Sequence, residues 1–465
     1  MDVLFIDPPW IIESDSNLWK TVGSCLPSLG IAYIASYLEK NGYKPTILDC
    51  NCERIAVSGI SKRLKEYESP RFIGITATSA LINNALSIAE ICKKIFPDSV
   101  LVMGGVHPSV MPDETLSSKA VDLVVRDEGE VTMSELISGK RYEDIDGLSY
   151  KKDKKVHHNP DRKLIENLDD IPPPAYHLLP MNKYYPAIGS YKRLPAMSIF
   201  ATRGCPGRCT FCYRTFYGRV RKRSAESIIK EVELLHRDFG IREIAFYDDT
   251  FTCFKKEVER FVELLLEKKI DITWSCFSRP DHIDKNILRV MKKGGCHLIL
   301  FGVESADEKI LETINKKISL TRIKETVRDA RKIGIETRAS FMLGNPGETE
   351  ETVKKTINFA IELDPDEVQF NIATAYPGTE LYEWAKDKGY LAIRNNKNFN
   401  MSDINMELPT ITPETLDKYY KSSHKAFYLR PKIIIRRLLH IRSFAQLAQE
   451  IKGFLAILKF LKKPS

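Results

Sequence analysis

Cys205, Cys209 and Cys212 lie in the stretch Thr202-Arg-Gly-Cys-Pro-Gly-Arg-Cys-Thr-Phe-Cys-Tyr213, directly after the apolar run Ala196 to Ala201. The spacing C-x3-C-x2-C delivers three thiolates from one loop. Iron–sulfur clusters are ordinarily held by four cysteine thiolates, so a loop with three leaves one iron corner for another ligand. The pattern predicts a cluster that performs chemistry as well as carrying electrons. Zinc is the alternative: it takes four N or S ligands, and His236 or Cys253 would have to complete the set. A disulfide framework does not suit this chain. Met1-Asp-Val-Leu-Phe-Ile-Asp-Pro8 reads as a buried strand rather than a secretory signal. In a reducing compartment the ten cysteines read as free thiols or metal ligands. Cys25, Cys50, Cys52, Cys92, Cys253, Cys276 and Cys296 are scattered, mostly in apolar segments, and are expected to be small buried hydrophobes.

The elements around the loop must position those thiolates. A chain of 465 residues predicts two to three domains. Residues 1–140 alternate five strand-like runs (near Val3, Pro45, Phe72, Ser99 and Val121) with helical periodicity, which predicts an α/β, doubly wound parallel sheet. Ligands of such sheets bind beyond the carboxyl ends of the strands. The segments found there are Asp7-Pro-Pro-Trp10, Thr76-Ala-Thr-Ser79, Gly104-Gly-Val-His-Pro108 and Arg126-Asp-Glu-Gly-Glu130. Residues 141–193 are charged and Pro-rich and read as a hairpin and linker. Six strand–helix units then fill 194–390 and predict a partial (β/α)6 barrel, whose active site lies at the strand carboxyl ends. The cysteine loop follows the first of these strands. Residues 391–465 form a helical, basic extension.

Polar residues follow each later barrel strand: Tyr247-Asp-Asp-Thr-Phe251, Ser278-Arg-Pro-Asp281, Phe301-Gly-Val-Glu-Ser305, Gly344-Asn-Pro-Gly-Glu348 and Ala375-Tyr-Pro-Gly-Thr379. They suit a small ligand carrying an amine, a ribose and a carboxylate. Asp248 or Asp249 would accept from an ammonium, Glu304 and Ser305 would bond ribose hydroxyls, and Arg279 would pair with a carboxylate. Glycines would let backbone approach a flat base. An Asp-Asp pair after a strand also suits a helix N-cap.

With these residues on the page, the chain resembles the radical S-adenosylmethionine (SAM) enzymes with an N-terminal cobalamin-binding domain. Relatives in that class include hopanoid methylases, anaerobic magnesium-protoporphyrin cyclases and archaeal lipid-modifying enzymes. The resemblance is carried by the cysteine motif with Phe211, by the strand-end segments, and by Leu26-Pro-Ser-Leu-Gly-Ile-Ala-Tyr-Ile-Ala35 and Met103-Gly-Gly-Val-His-Pro108. It covers roughly residues 1 to 390. It implies a 4Fe-4S cluster on Cys205, Cys209 and Cys212, with SAM on its fourth iron. It implies SAM contacts from Phe211, Asp248, Asp249, Ser278, Arg279, Glu304, Ser305, Gly344 and Pro377. Cobalamin would meet Pro8, Trp10, Ser79, Gly104, Gly105, His107, Glu128 and Gly129. One electron from an external reductant such as ferredoxin or flavodoxin would cleave SAM to a 5′-deoxyadenosyl radical; no side chain is assigned as a separate catalytic group. The pattern D-x-H-x-x-G, which supplies a histidine to cobalt, is absent, so no His–cobalt bond is expected. His107 reads equally as a corrin contact or a polar loop residue bonded to the backbone.

What the resemblance implies is a C-methyltransferase acting on an unactivated carbon of a lipid or isoprenoid, a tetrapyrrole or a natural-product intermediate, with the substrate entering between two domains. The alternatives are a radical cyclase or C–C coupling enzyme, and, in another class, a non-catalytic iron–sulfur electron-transfer or scaffold protein. Tyr213, Tyr217 and Tyr247 are candidate hydrogen donors, or simply aromatics packed near a cluster.

The formal charge of +8 is uneven. From Lys425 onward ten basic residues face one acid, Glu450, so the tail carries +9 and residues 1–424 sum to −1. The body is therefore not a nucleic-acid surface. Thr412-Pro413 is expected to start a helix. Ile433 to His440 and Phe454 to Lys463 mix bulky apolar with basic residues. They read either as an amphipathic membrane-surface element on a cytoplasmic enzyme or as helix packed on the barrel with a solvated basic face. No stretch is apolar for long enough to span a bilayer.

Overall fold

Five short apolar runs form five parallel strands: β1 Val3–Asp7, β2 Pro45–Asp49, β3 Phe72–Thr76, β4 Val100–Gly104 and β5 Leu123–Val125. The computed structural model describes residues 1–10, 23–187, 189–213, 215–392 and 399–440, with Ile451 and Leu455. These divide into two compact units, one containing β1 and Cys25–Tyr184, the other running from Tyr185 onward.

In the first unit the strand order is β2-β1-β3-β4-β5, followed by β6 Leu148–Lys152 and β7 Lys155–His158. The first five pair in parallel. Both faces of such a sheet are covered, so its strands are apolar throughout rather than alternating. One core gathers Leu4, Ile6, Ile73, Ile75, Leu101 and Met103 with Ala85, Ile88, Ala89 and Cys92 of the helix Ile82–Ile95. The order reverses between β1 and β3, the topological switch point at which doubly wound sheets leave a crevice. The hairpin expected as part of a linker joins this sheet: β6 pairs antiparallel to β5, and β7 to β6. The helix Gly129–Ile137 lies between β5 and β6, and the two-residue turn Asp153-Lys154 joins β6 to β7.

In the second unit six parallel strands form a sheet in the order β15-β14-β13-β12-β11-β8. They are β8 Ala196–Ile199, β11 Glu243–Phe246, β12 Thr273–Ser278, β13 Cys296–Glu304, β14 Glu336–Leu343 and β15 Glu367–Ile372. A two-stranded ladder, β9 Thr202–Arg203 with β10 Arg221–Lys222, closes the base of the cysteine loop. Helices follow the strands and bury one face each. The helix Ala225–Phe239 buries Ile228, Ile229, Val232 and Leu235, and its N-cap Ser224 accepts from the Ser227 amide. Trp274 packs edge-on against Phe246, Phe251 and Phe261 and donates to the Gly294 carbonyl at 2.6 Å. The open six-unit sheet agrees with the fold class expected from sequence.

The C-terminal extension begins as expected, with the Thr412 side chain capping the helix Pro413–Tyr428. Tyr428 donates to the Val368 carbonyl at 2.6 Å and accepts from the Val368 amide at 3.1 Å. The helix thereby covers the β15 edge, which otherwise presents unpaired backbone groups. The next helix, Pro431–His440, departs from a solvated basic face. Lys432 and Arg436 pair with Asp364 at 2.7 Å each, and Arg437 pairs with Glu367 at 2.7 Å. Its basic side turns to barrel acids, while Ile435 and Leu438 are 56% and 58% exposed. The expected apolar-basic stretch 454–463 lies outside the described residues, apart from Leu455. No helix among the described residues is long and apolar enough to cross a membrane.

Candidate active site

The cysteine loop is held from three sides. Ala201 donates its amide to Asp248 Oδ1 at 2.9 Å, and Thr202 donates both its amide and its hydroxyl to the same oxygen, the hydroxyl at 2.7 Å. The Thr210 amide donates to Ile314 O at 3.1 Å, and the Leu381 amide to Thr210 O at 2.9 Å. Gly204 sits at φ +96°, where a Cβ would lie 2.1 Å from the Arg219 carbonyl oxygen, so only glycine fits at the loop entrance.

Cys205, Cys209 and Cys212 line one cavity of about 420 Å³ at the carboxyl ends of the barrel strands. Cys209 is buried, whereas Cys212 is exposed to the cavity. Burial nevertheless pushes the Cys212 thiol up to about 12, because protein surrounds the cavity. Burial also raises Cys205, against the opposing pull of the Gly207 amide and Arg279. Ligation by thiolates must therefore expel protons from a desolvated site.

Five of the residues expected around SAM reach this cavity: Phe211, Asp249, Ser278, Arg279 and Glu304. Burial raises Asp249 above the usual carboxylate range. Arg279 places Nε and Nη2 on the Asp281 carboxylate, both at 3.0 Å. Asp281 thus answers part of its charge within the protein.

The other four lie away from the cavity lining. Asp248 caps no helix. It organises the loop backbone, and burial pushes it up to about 7. Ser305 is fully buried, 3.3 Å from Thr356 Oγ1, and accepts from the Asp307 amide at 3.1 Å. Gly344 donates to Glu348 at 2.5 Å beneath Leu416. Pro377 is buried in the turn between Tyr376 and Thr379. A residue just past a strand end is as easily folded back under the helix that follows as turned into the barrel.

Sequence reasoning missed one wall of the cavity. Arg338 and Ser340 of β14, with Gln369 and Asn371 of β15, line it. Gln369 Nε2 donates to Asn371 Oδ1 at 3.0 Å, and Asn371 Nδ2 donates to Ser340 Oγ at 3.0 Å. The signal was present: polar residues at i and i+2 of otherwise buried strands mark one face of the sheet. Lys316, in a loop remote from any strand end, was also missed. Phe277, Leu300 and Phe301 supply an apolar wall. Tyr213 lines the cavity, and Tyr247 packs edge-on against Phe277. The Tyr217 side chain is outside the described residues.

The zinc alternative finds no support. His236 Nδ1 bonds the Ile241 carbonyl at 2.8 Å. Among the described residues no three His, Cys, Asp or Glu side chains converge as a single ion requires. A cluster spreads its ligands over separate iron corners, which three thiols around one cavity suit.

In the first unit the expected cobalamin residues divide differently. Trp10, Gly104 and Gly105 stay partly exposed at the carboxyl edge, whereas Pro8, Ser79, His107, Glu128 and Gly129 are buried. His107 is 1% exposed, within the short helix Val106–Val110 rather than a loop, and its Nδ1 lies 3.1 Å from Ser79 Oγ. Glu128 accepts from the Ile165 amide at 2.9 Å, and Gly129 packs under Ile34. These five are buried within the unit rather than at its exposed edge. Gly105 has φ +95°, and a Cβ there would come within 2.8 Å of the Ala77 carbonyl oxygen. Packing of the β4 end against the β3 end therefore requires glycine there.

Comparison with known proteins gives the class. Residues 199–360 match the radical SAM superfamily model, and residues 18–137 match the B12 binding domain. The chain is 38% identical over 464 residues to an uncharacterized methyltransferase of Pyrococcus horikoshii, covering 98% of each. It is 28% identical over 431 residues to the anaerobic magnesium-protoporphyrin IX monomethyl ester cyclase of Rubrivivax gelatinosus, covering 90% of this chain and 75% of that one. The radical SAM methyltransferase TsrM from Kitasatospora setae, solved with cobalamin and its iron–sulfur cluster, shares the fold with a TM-score of 0.73 at 16% identity. That alignment covers 99% of this chain and 100% of TsrM. The chain belongs to the cobalamin-binding radical SAM enzymes. Its cofactors are a 4Fe-4S cluster, SAM and cobalamin.

Proposed function

We propose that this protein methylates an unactivated carbon of a small-molecule substrate, with Cys205, Cys209 and Cys212 holding the cluster. The observation that carries this is the convergence of three thiols on one cavity at the strand ends, in a chain related along its full length to a methyltransferase. When bound, the cluster with SAM supplies a carbon-centred radical and the corrin supplies a transferable methyl group. The chain's own part is placement and exclusion. Asp248 and the Thr210 bonds hold the thiols in register. Asp249, Ser278 and Glu304 present acceptors to SAM, and Phe211 closes beside them. Phe277, Leu300 and Phe301 keep water from the reacting space. Trp10, Gly104 and Gly105 receive the corrin at the first sheet's edge.

A radical cyclase is the second reading, favoured by cyclase relatives such as that of Rubrivivax gelatinosus. The substrate classes in view are a lipid or isoprenoid, a tetrapyrrole and a natural-product intermediate. Relatives carry names that span them: a hopanoid C-3 methylase of Methylococcus capsulatus, a bacteriochlorophyllide d C-8(2)-methyltransferase of Chlorobaculum tepidum and a cytidylyl-2-hydroxyethylphosphonate methyltransferase of Streptomyces wedmorensis. Peripheral membrane contact through the tail, on a cytoplasmic enzyme, is a separate proposal. It rests on exposed Ile435 and Leu438, since Lys432, Arg436 and Arg437 are engaged by barrel acids.

The test is anaerobic incubation of the reconstituted enzyme with SAM, a one-electron reductant and extract of cells lacking the gene. Methylation predicts 5′-deoxyadenosine, S-adenosylhomocysteine and a product heavier by one CH2. 5′-Deoxyadenosine without S-adenosylhomocysteine would favour cyclisation, and absence of both would leave an electron-transfer protein.

A further inference from the structure

Arg338 belongs to the interior of β14 rather than to a strand end. It lies five residues before the carboxyl end of the strand, a setback of roughly 16 Å at the rise of a parallel strand. Pairing places it in one row across the sheet. Phe277 of β12 is in register with Leu300 of β13, Leu300 with Arg338, and Arg338 with Glu367 of β15. Phe277, Leu300 and Arg338 all line the cavity of the three cysteines. Its deep wall is therefore two apolar side chains followed by a guanidinium.

Charge is answered differently at the two ends of this cavity. At the cysteine end, Lys316 Nζ donates to Glu304 Oε1 at 2.9 Å, and Arg279 forks onto both oxygens of Asp281. Deeper in, one carboxylate is divided. Glu367 Oε1 accepts from Arg437 Nη2 at 2.7 Å, which leaves Oε2 for Arg338. Arg338 brings Nε, at 2.6 Å, and Nη2 to that single oxygen. A guanidinium has five N–H donors and is best matched by two oxygens at once. Here Nη1 has no hydrogen-bond partner among the described residues, although the side chain is only 15% exposed. A cation held largely out of water and short of acceptors is costly unless a ligand completes its set.

Position indicates which ligand does so. SAM, as the ligand of the cluster's fourth iron, is tied to the thiol end, whereas Arg338 shares its wall with Phe277 and Leu300. We propose that Arg338 binds an anionic group, a carboxylate or a phosphate, on a substrate whose carbon skeleton lies along Phe277 and Leu300. Among the substrate classes in view this selects acidic members over an uncharged hydrocarbon. The inference deepens the reading of this cavity as the site of methylation and rests on it.

The test incubates the reconstituted holoenzyme anaerobically with a reductant, SAM bearing a trideuterated methyl group, and extract of cells lacking the gene. Wild type should form a deuterium-labelled product that an anion exchanger retains near neutral pH. Extract whose carboxylic and phosphoric acids have been methyl-esterified should yield none. Phosphatase treatment of the extract separates the two sources: loss of product assigns a phosphate, survival a carboxylate. For Arg338→Met, the extract concentration giving half-maximal labelling should rise by about 10- to 100-fold, the range of a lost charge-assisted hydrogen bond. Cluster content should match wild type, and SAM affinity should stay within about threefold. Arg338→Lys should hold half-maximal labelling within about tenfold of wild type. Because Arg338→Met takes a partner from a buried carboxylate, the double variant Arg338→Met/Glu367→Gln is assayed beside it and should show the same shift. A labelled product that is not retained, labelling that survives esterification, or an unchanged half-maximal concentration for Arg338→Met would overturn the proposal. So would loss of cluster or SAM binding in these variants, which would make the ion pair purely structural. Wild-type enzyme that forms no labelled product from untreated extract would instead remove the methylation reading itself, and this inference with it.

Discussion

Two sheets in this chain end in polar residues, and the two edges behave differently. At the barrel edge, side chains from the cysteine loop, β12, β13, β14 and β15 meet around one cavity. At the first unit's edge, Ser79, His107 and Glu128, expected to meet a ligand, are buried and hydrogen-bonded within the unit. Ser79 and His107 bond one another, and Glu128 bonds the Ile165 amide. A sheet that curves far enough for β12 and β15 to line one space turns its inner side chains toward each other. A doubly wound sheet covers both faces with helices, and here it leaves Trp10, Gly104 and Gly105 partly exposed at the carboxyl edge. The lesson is that the strand-end rule finds an edge, while curvature decides whether side chains or backbone do the binding.

The largest effect that would break this contrast is at the thiols. Cys212→Ala should abolish cluster loading, read as loss of iron and sulfide content, and with it all 5′-deoxyadenosine. Retention of a full cluster would mean that this loop is not its holder. At the other edge, Gly105→Val should weaken cobalamin binding by roughly tenfold or more, measured by absorbance titration, with the cluster intact. If Gly105→Val binds normally while His107→Ala does not, side chains rather than bare backbone hold the corrin.

A smaller effect separates structural from functional acids at the barrel edge. Burial pushes Glu348 up to about 7. The folded state therefore holds a proton that the unfolded chain releases near its ordinary value of about 4. Its contribution to stability is greatest at low pH and declines as pH rises from about 4 to 7. Glu348→Gln should flatten urea-denaturation stability over that window by close to one proton, leaving cluster content unchanged. The smallest effect concerns the tail. Arg436→Ala should cost about 1 kcal/mol in urea denaturation, because Asp364 keeps Arg331, Arg430 and Lys432 as partners. On anionic liposomes, flotation should not change with this substitution, because that charge faces the barrel.

Much of the site was legible in the sequence because its signals are local. A C-x3-C-x2-C loop after an apolar run needs no tertiary information to be seen, Asp249, Ser278 and Glu304 follow from asking what ends each strand, and Phe211 comes with the family resemblance. Asp248 and Ser305 sit in the same segments, yet point the other way, because neighbouring residues past a strand end diverge into the barrel or under a helix. Ser340, Gln369 and Asn371 were legible in principle from their alternation within buried strands. Lys316 was not. Its loop resembles any charged connection, and only hydrogen bonds to Arg208 and Thr210 bring it to the thiols.

By itself the sequence determined the two α/β units, the six-strand open barrel, the three-thiol loop and the capped helix at Thr412. Each rests on hydrophobic period, short spacing or a cap, which act within a few residues. The tertiary structure decided the rest. It chose which strand-end residues face the cavity and placed Lys316 against Glu304. It also turned Arg436 and Arg437 from a free basic face onto Asp364, Asp366 and Glu367. Those outcomes depend on contacts between segments far apart in the chain, where burial and charge pairing outweigh what any local pattern prescribes.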